Sequence, residues 1–176
     1  CSSDLAADVV SYLNPRLADI SDPFQMPGMS ESVDLILSAI DQGRRMVVFG
    51  DYDVDGLTAT ALLIQVLRSF GGDCSGFIPS RENEGYGLSE EAIGRCIREY
   101  APEVVITVDC GSNAAEMIGQ MSARGIDVVV TDHHELHGEL PAAAALVNPK
   151  RSRNRATECL AGVGVAFKLC FALQKR

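Results

Sequence analysis

Asp51, Asp53 and Asp55 alternate through Asp51-Tyr52-Asp53-Val54-Asp55-Gly56, a single acid opens Asp109-Cys110-Gly111, and Asp132-His133-His134 joins a carboxylate to two imidazoles. Carboxylates gathered in a partly desolvated crevice repel one another, and one or more must take up a proton unless something compensates. A divalent cation removes that conflict. Oxygen-rich ligands with one or two imidazoles favour Mn2+ or Mg2+ over a thiolate-type zinc site, with zinc left open. The first triplet is not a calcium loop of the EF-hand kind, because that pattern needs a Glu six residues after the glycine and Leu62 stands there. In extended geometry residues 53 and 55 point the same way. Asp53 and Asp109, by contrast, are 56 positions apart and His133 follows 24 later, so only a fold brings them together. Gly85-Tyr86-Gly87, after Arg81-Glu82-Asn83-Glu84, reads equally as part of such a site and as a plain turn into a helix.

The surrounding pattern supplies that fold. Apolar, β-branched runs at Met46–Phe49, Val104–Val108, Val128–Thr131 and Ala145–Val147, with a weaker one at Ser75–Ile78, predict strands buried on both faces. Helices are predicted over Leu57–Phe70, Ser89–Tyr100, Asn113–Arg124 and Leu160–Leu173, with two earlier ones at residues 4–13 and 31–42 joined by a Pro/Gly/Met link from Asp22 to Ser30. Strand and helix alternating at this spacing predict an α/β fold, a Rossmann-like parallel sheet with helices on both faces. Each acidic cluster directly follows a strand and therefore lies at the carboxyl edge of the sheet, where crevices bind ligands.

Composition bounds the reading. A chain of 176 residues, 47% hydrophobic and 22% charged, suits one ordinary domain and excludes a disordered tail or a small disulfide scaffold. The most nearly apolar stretch, Leu57–Leu67, is shorter than the roughly 20 residues a membrane helix needs, so no membrane partner is expected. No secretory leader is visible, which makes cytoplasm the expected location, and a start at Cys1 rather than Met reads as a fragment boundary or a lipidated mature terminus. The six cysteines show no CxxC and no zinc-finger spacing, and read as reduced core thiols. Net charge is −9, but Lys150–Arg176 carries seven Lys/Arg and one acid, a basic segment behind a body of net −15. That distribution suits a metal-loaded acidic site beside an anion-binding surface, and equally a solvated loop with an ordinary helix end.

Taken in order, Asp51-Tyr52-Asp53-Val54-Asp55-Gly56, Glu84-Gly85-Tyr86-Gly87-Leu88, Val108-Asp109-Cys110-Gly111 and Asp132-His133-His134 resemble the DHH phosphoesterase superfamily, and the form of the first two motifs is similar to its RecJ branch. Asn148-Pro149 and Leu160-Ala161-Gly162-Val163-Gly164-Val165-Ala166-Phe167-Lys168 resemble that branch as well. The resemblance implies a DHH catalytic domain over residues 43–176, after a helical lead-in over residues 1–42. It implies an exonuclease that hydrolyses phosphodiester bonds of single-stranded DNA from the 5′ end with Mn2+ or Mg2+ in a two-metal site, in recombination and repair, with other DNA-repair proteins as further partners. On the same basis Asp53 and Asp55 hold the two metals, Asp109 bridges them and His133 completes one. His134 faces the scissile phosphate, and Asp132 orients the neighbouring imidazole or loop. Arg81, Tyr86, Gly111 and Ser112 contact substrate. Two neighbouring cations can bring a shared water near neutral pKa and stabilise the departing alkoxide. Backbone N–H groups at Gly111 to Asn113 offer an anion site, and Arg151, Arg153 and Arg155 can track phosphates.

Two departures bear on the reading. Phe49 stands four residues before Asp53, where many DHH enzymes have a metal-binding His, so one metal leans on Asp51 or binds weakly. Family members also carry a further metal-binding Asp and a second lobe beyond the point where this sequence stops, so the expectation is an incomplete catalytic half, inactive alone. A DHH phosphodiesterase of short oligonucleotides or cyclic dinucleotides is the rival enzyme. A non-catalytic DHH scaffold that binds DNA is the rival from another class; eroded acids would mark it, and the acids of these motifs are all present.

Overall fold

Met46, Val48, Ile106, Val108, Val129 and Val147 turn their side chains to one face of a sheet, while Val47, Phe49, Val105, Val128 and Val130 turn theirs to the other, as period-two alternation along a strand requires. In the computed structural model, which describes residues 9, 13, 14, 16, 19–80, 87–152 and 155–176, five strands form one sheet: β1 (Met46–Gly50), β2 (Cys74–Phe77), β3 (Val104–Val108), β4 (Asp127–Thr131) and β5 (Ala145–Val147). Their order is β2-β1-β3-β4-β5 and every pairing is parallel. The register sets Gly50 beside Val108 and Val108 beside Thr131, so the loops after β1, β3 and β4 leave the sheet side by side.

Helices cover both faces. On one lie α1 (Met29–Asp41), α2 (Val54–Ser69) and α6 (Gly162–Gln174), which bury Val33, Ile36, Leu63, Leu67, Leu169 and Leu173. On the other lie α3 (Glu90–Tyr100) and α4 (Ala115–Ser122), which contribute Ile93, Cys96, Ile118 and Met121. A short helix, α5 (Arg155–Glu158), precedes α6. The chain leaves β1 toward β2 on one side and returns to β3 on the other, so a crevice opens between the carboxyl ends of β1 and β3.

Helix ends differ from the predicted ones for local reasons. α2 begins at Val54 rather than Leu57, because Asp53 caps it by accepting a hydrogen bond from the Gly56 N–H at 2.9 Å. α4 is shorter than Asn113–Arg124 because Asn113 is engaged elsewhere, binding the Glu135 carbonyl and the His137 N–H. α3 is capped by Ser89, whose Oγ accepts from the Ala92 N–H. The predicted helix at residues 4–13 falls largely outside the described residues. Among the described residues no helix is long and apolar enough to cross a membrane. Cys74, Cys96, Cys110 and Cys170 are buried free thiols, while Cys159 is exposed. Burial pushes Cys74 up to about 11 and Cys96 up to about 12, as befits core thiols rather than nucleophiles.

Candidate metal centre

Asp109 follows β3 in a left-handed conformation, with φ at 63°, unusual for a residue other than glycine. Its N–H donates to the Thr131 carbonyl at 3.0 Å, and the Thr107 hydroxyl binds the Cys110 carbonyl at 2.8 Å, so the turn is held from two strands. The side chain is 2% exposed, yet Oδ1 accepts no hydrogen bond, although His133 Nε2 lies 3.0 Å away. Leaving a buried carboxylate oxygen unpartnered is costly unless a cation takes it. Burial, followed by the charges of Asp55 and Asp53, pushes the Asp109 carboxyl up to about 7.

Two groups of ligand atoms meet at this residue. Asp51, Asp53 and Asp109 form one and Asp109, His133 and His134 the other, each offering atoms within 4.8 Å of one another. The donor set, carboxylates with two imidazoles, fits hard or borderline divalent cations. The extended geometry in which residues 53 and 55 would point the same way does not occur: Asp53 is an extended cap, whereas Asp55 already lies in the first turn of α2. Asp55 instead accepts hydrogen bonds from the Gly162 and Val163 N–H groups, both at 2.6 Å, and its Oδ2 stands 3.7 Å from His133 Nε2. Asp51 takes the position beside Asp53 and Asp109, with Oδ1 also accepting from the Tyr52 N–H.

Asp132 does not enter either group. Buried to 1% exposure, it accepts from the His133 N–H at 2.7 Å, the His134 N–H at 3.2 Å and His134 Nδ1 at 2.7 Å, while its other oxygen accepts from the Ser112 N–H at 2.9 Å. Burial would raise its pKa, but these hydrogen bonds outweigh it and hold the carboxyl below its ordinary value. Burial would likewise lower His134, and the hydrogen bond and charge of Asp132 overcome that and raise it. Asn148, which the sequence presents only as part of a motif, is fully buried and donates to Ser112 Oγ at 2.8 Å and to the His134 carbonyl at 3.0 Å. It ties the loops after β3 and β4 together. An Asn at the end of a buried strand is the available signal.

Other expectations fare differently. Gly111, with φ at 110°, lines a cleft of about 450 Å³ beside Asp51, Asp109, Asn113, Met117 and His134. Ser112 is buried, its N–H donating to Asp132 and its hydroxyl oxygen accepting from the Asn148 amide. Arg151 is exposed, and its guanidinium donates to the Leu146 carbonyl on the edge strand β5. Arg81, Tyr86 and Arg153 lie outside the described residues, as does the side chain of Arg155. The described cations of the basic segment are largely engaged within the chain, Lys150 with Glu135, Lys168 with Ser21, Lys175 with Asp22 and Arg176 with Asp34. Phe49 packs on Phe77 with ring centroids 4.9 Å apart, on the face of the sheet covered by α3 and α4, and offers no ligand.

Comparison with known proteins adds to this geometry. Residues 45–176 match the DHH family, N-terminal domain. The chain is 42% identical over 171 residues to the single-stranded-DNA-specific exonuclease RecJ of Bacillus subtilis (strain 168), covering 97% of this chain and 22% of that protein. To RecJ of Thermus thermophilus it is 37% identical over 164 residues, 92% of this chain and 24% of the relative. It thus spans less than a third of the length of these curated relatives. A crystal structure of exonuclease RecJ bound to manganese superimposes with a TM-score of 0.79 at 38% identity, covering 86% of this chain and 38% of that one.

Proposed function

The chain belongs to the DHH family, and from that premise we propose that it is the metal-holding catalytic part of an exonuclease specific for single-stranded DNA, working from the 5′ end in recombination and repair. The observation that carries the reading is Asp109, a 2% exposed carboxylate whose Oδ1 accepts no hydrogen bond and faces His133 Nε2 at the meeting point of two ligand groups. Asp51, Asp53 and Asp109 would hold one divalent cation, Mn2+ or Mg2+, and Asp109 with His133 and Asp55 would hold a second. When bound, such a pair supplies Lewis-acid stabilisation and a water nucleophile at neutral pH.

The protein's own groups do the rest. Asp132 fixes the His134 ring through Nδ1, so that Nε2 can present a proton to a phosphate oxygen in the cleft that His134 lines. The raised pKa of His134 favours that protonated form. Gly111 and Asn113 border the same cleft and would bound the nucleotide. Arg81, Tyr86, Arg153 and Arg155 complete the strand's path, the cytoplasm is its location, and other repair proteins are its further partners.

The test, made with the full-length protein of which this chain is the proposed catalytic part, is Mn2+-dependent release of labelled mononucleotide from 5′-labelled single strands. Release that disappears in Asp109→Ala is the expected result. Preference for dinucleotides over long strands would instead support the oligonucleotide rival, and Mn2+-independent release would overturn the metal assignment.

A further inference from the structure

Helix α6 opens at Gly162 behind Ala161, which has no side-chain group able to cap it. The cap comes from 107 residues earlier in the chain: Asp55 accepts the N–H groups of both Gly162 and Val163 at 2.6 Å. The same glycine lies against the other side of the centre. A Cβ at position 162 would sit 2.7 Å from Cγ and 2.8 Å from Cβ of Asp109, and closer still to Oδ1, distances no real Cβ tolerates. That oxygen is the buried one that accepts no hydrogen bond.

We propose that Gly162 is a positioning residue of the metal centre: with no side chain, it lets the first turn of α6 press against Asp109 while its N–H and that of Val163 aim the Asp55 carboxylate toward His133. The proposal rests on the metal-binding reading above and extends it to an element that supplies no ligand. The helix terminus also adds about half a positive charge beside Asp55 and Asp109, which eases their mutual repulsion. Each Asp55 oxygen keeps a second lone pair for a cation after accepting one N–H. A side chain at 162 would either push the Asp109 carboxylate aside or lift the helix terminus off Asp55, and in both cases the two acids lose their relative placement.

Mn2+ affinity, measured by electron paramagnetic resonance with the chain, Gly162→Ala and Val165→Ala, tests this. Val165 is fully buried in the same helix among core residues, so its truncation lowers stability without touching the acids. The expected result is a loss of about ten-fold or more in Mn2+ affinity for Gly162→Ala, the scale on which supporting groups act, and none for Val165→Ala. Equal loss in the two variants, or unchanged affinity in Gly162→Ala, overturns the positioning role while leaving the metal reading intact. Failure of the unmodified chain to bind Mn2+ overturns both. Should Gly162→Ala fail to fold, the amide resonances of Gly162 and Val163 in the unmodified chain decide: Mg2+ must shift them more than that of Gly125, and a lack of shift overturns the proposal.

Discussion

Asp132 Oδ1 lies 2.7 Å from Nδ1 of His134, two residues on, and the carboxylate is buried while the imidazole is half exposed. A fixed negative charge on one ring nitrogen sets the tautomer and leaves the other nitrogen for the cleft. Asp132→Asn keeps the size of the side chain but removes its charge. The His134 titration midpoint, followed by proton NMR, should fall toward its ordinary value; an unchanged midpoint would show that the carboxylate does not govern the ring.

The metal-free chain should lose stability as pH rises. Asp109 is ordinarily ionised above 3.8 and in the folded chain only above about 7, so in between the folded state holds a proton that the unfolded state has released. Folding is favoured at the lower end of that window, and the advantage is lost as pH climbs through 7. His134, raised above 6.5, acts in the same sense, while Asp132, lowered below 3.8, acts only in stronger acid. Melting temperature in chelator should therefore decline between about pH 5 and about pH 8. Mn2+ should raise it most at the upper end, where Asp109 is ionised. A metal-free chain that gains stability over this range would contradict the strained state of Asp109.

Asp109→Asn separates stability from metal binding. Asn tolerates the left-handed turn, and removal of the buried charge relieves repulsion from Asp53 and Asp55. Near pH 8 the metal-free variant should melt at least about 2 °C higher, the shift of roughly 1 kcal/mol in a chain of this size. Its melting temperature should no longer respond to Mn2+. A variant still stabilised by Mn2+ would move the shared ligand elsewhere.

Asn148→Ala leaves Ser112 Oγ without the Asn148 donor and removes a tether from the His134 carbonyl. Loss of buried hydrogen bonds of this kind should lower stability by about 1–3 kcal/mol, measured by urea unfolding. Because the two loops it joins carry Asp109 and His133, Mn2+ affinity should fall as well. Unchanged Mn2+ affinity would confine Asn148 to a purely structural part.

Arg151→Ala should lower stability by about 1 kcal/mol even without DNA, because the Leu146 carbonyl loses its donor. Urea unfolding without nucleic acid checks this, and an unchanged midpoint would mean that the guanidinium contact contributes nothing in solution.

Strands were legible in the sequence because their residues carry the signal themselves: Val104–Val108 and Ala145–Val147 occur where the apolar runs lie, and burial on both faces tolerates little else. The acids after β1, β3 and β4 were legible for a related reason, since parallel pairing carries every strand end to one edge. By itself the sequence thus determined the sheet, the edge and the residue types gathered there. Which acids face each other was decided only by tertiary structure. Asp53 caps its own helix, and this starts α2 three residues early and rotates Asp55 away from an extended neighbour's direction toward α6. Ser112 gives its N–H to Asp132, and Arg151 reaches a strand edge, because buried or open backbone groups must find partners wherever the fold has placed them. Such pairings join residues far apart in the chain, and no local pattern of residue types encodes a contact whose partner is chosen by the packing of another helix.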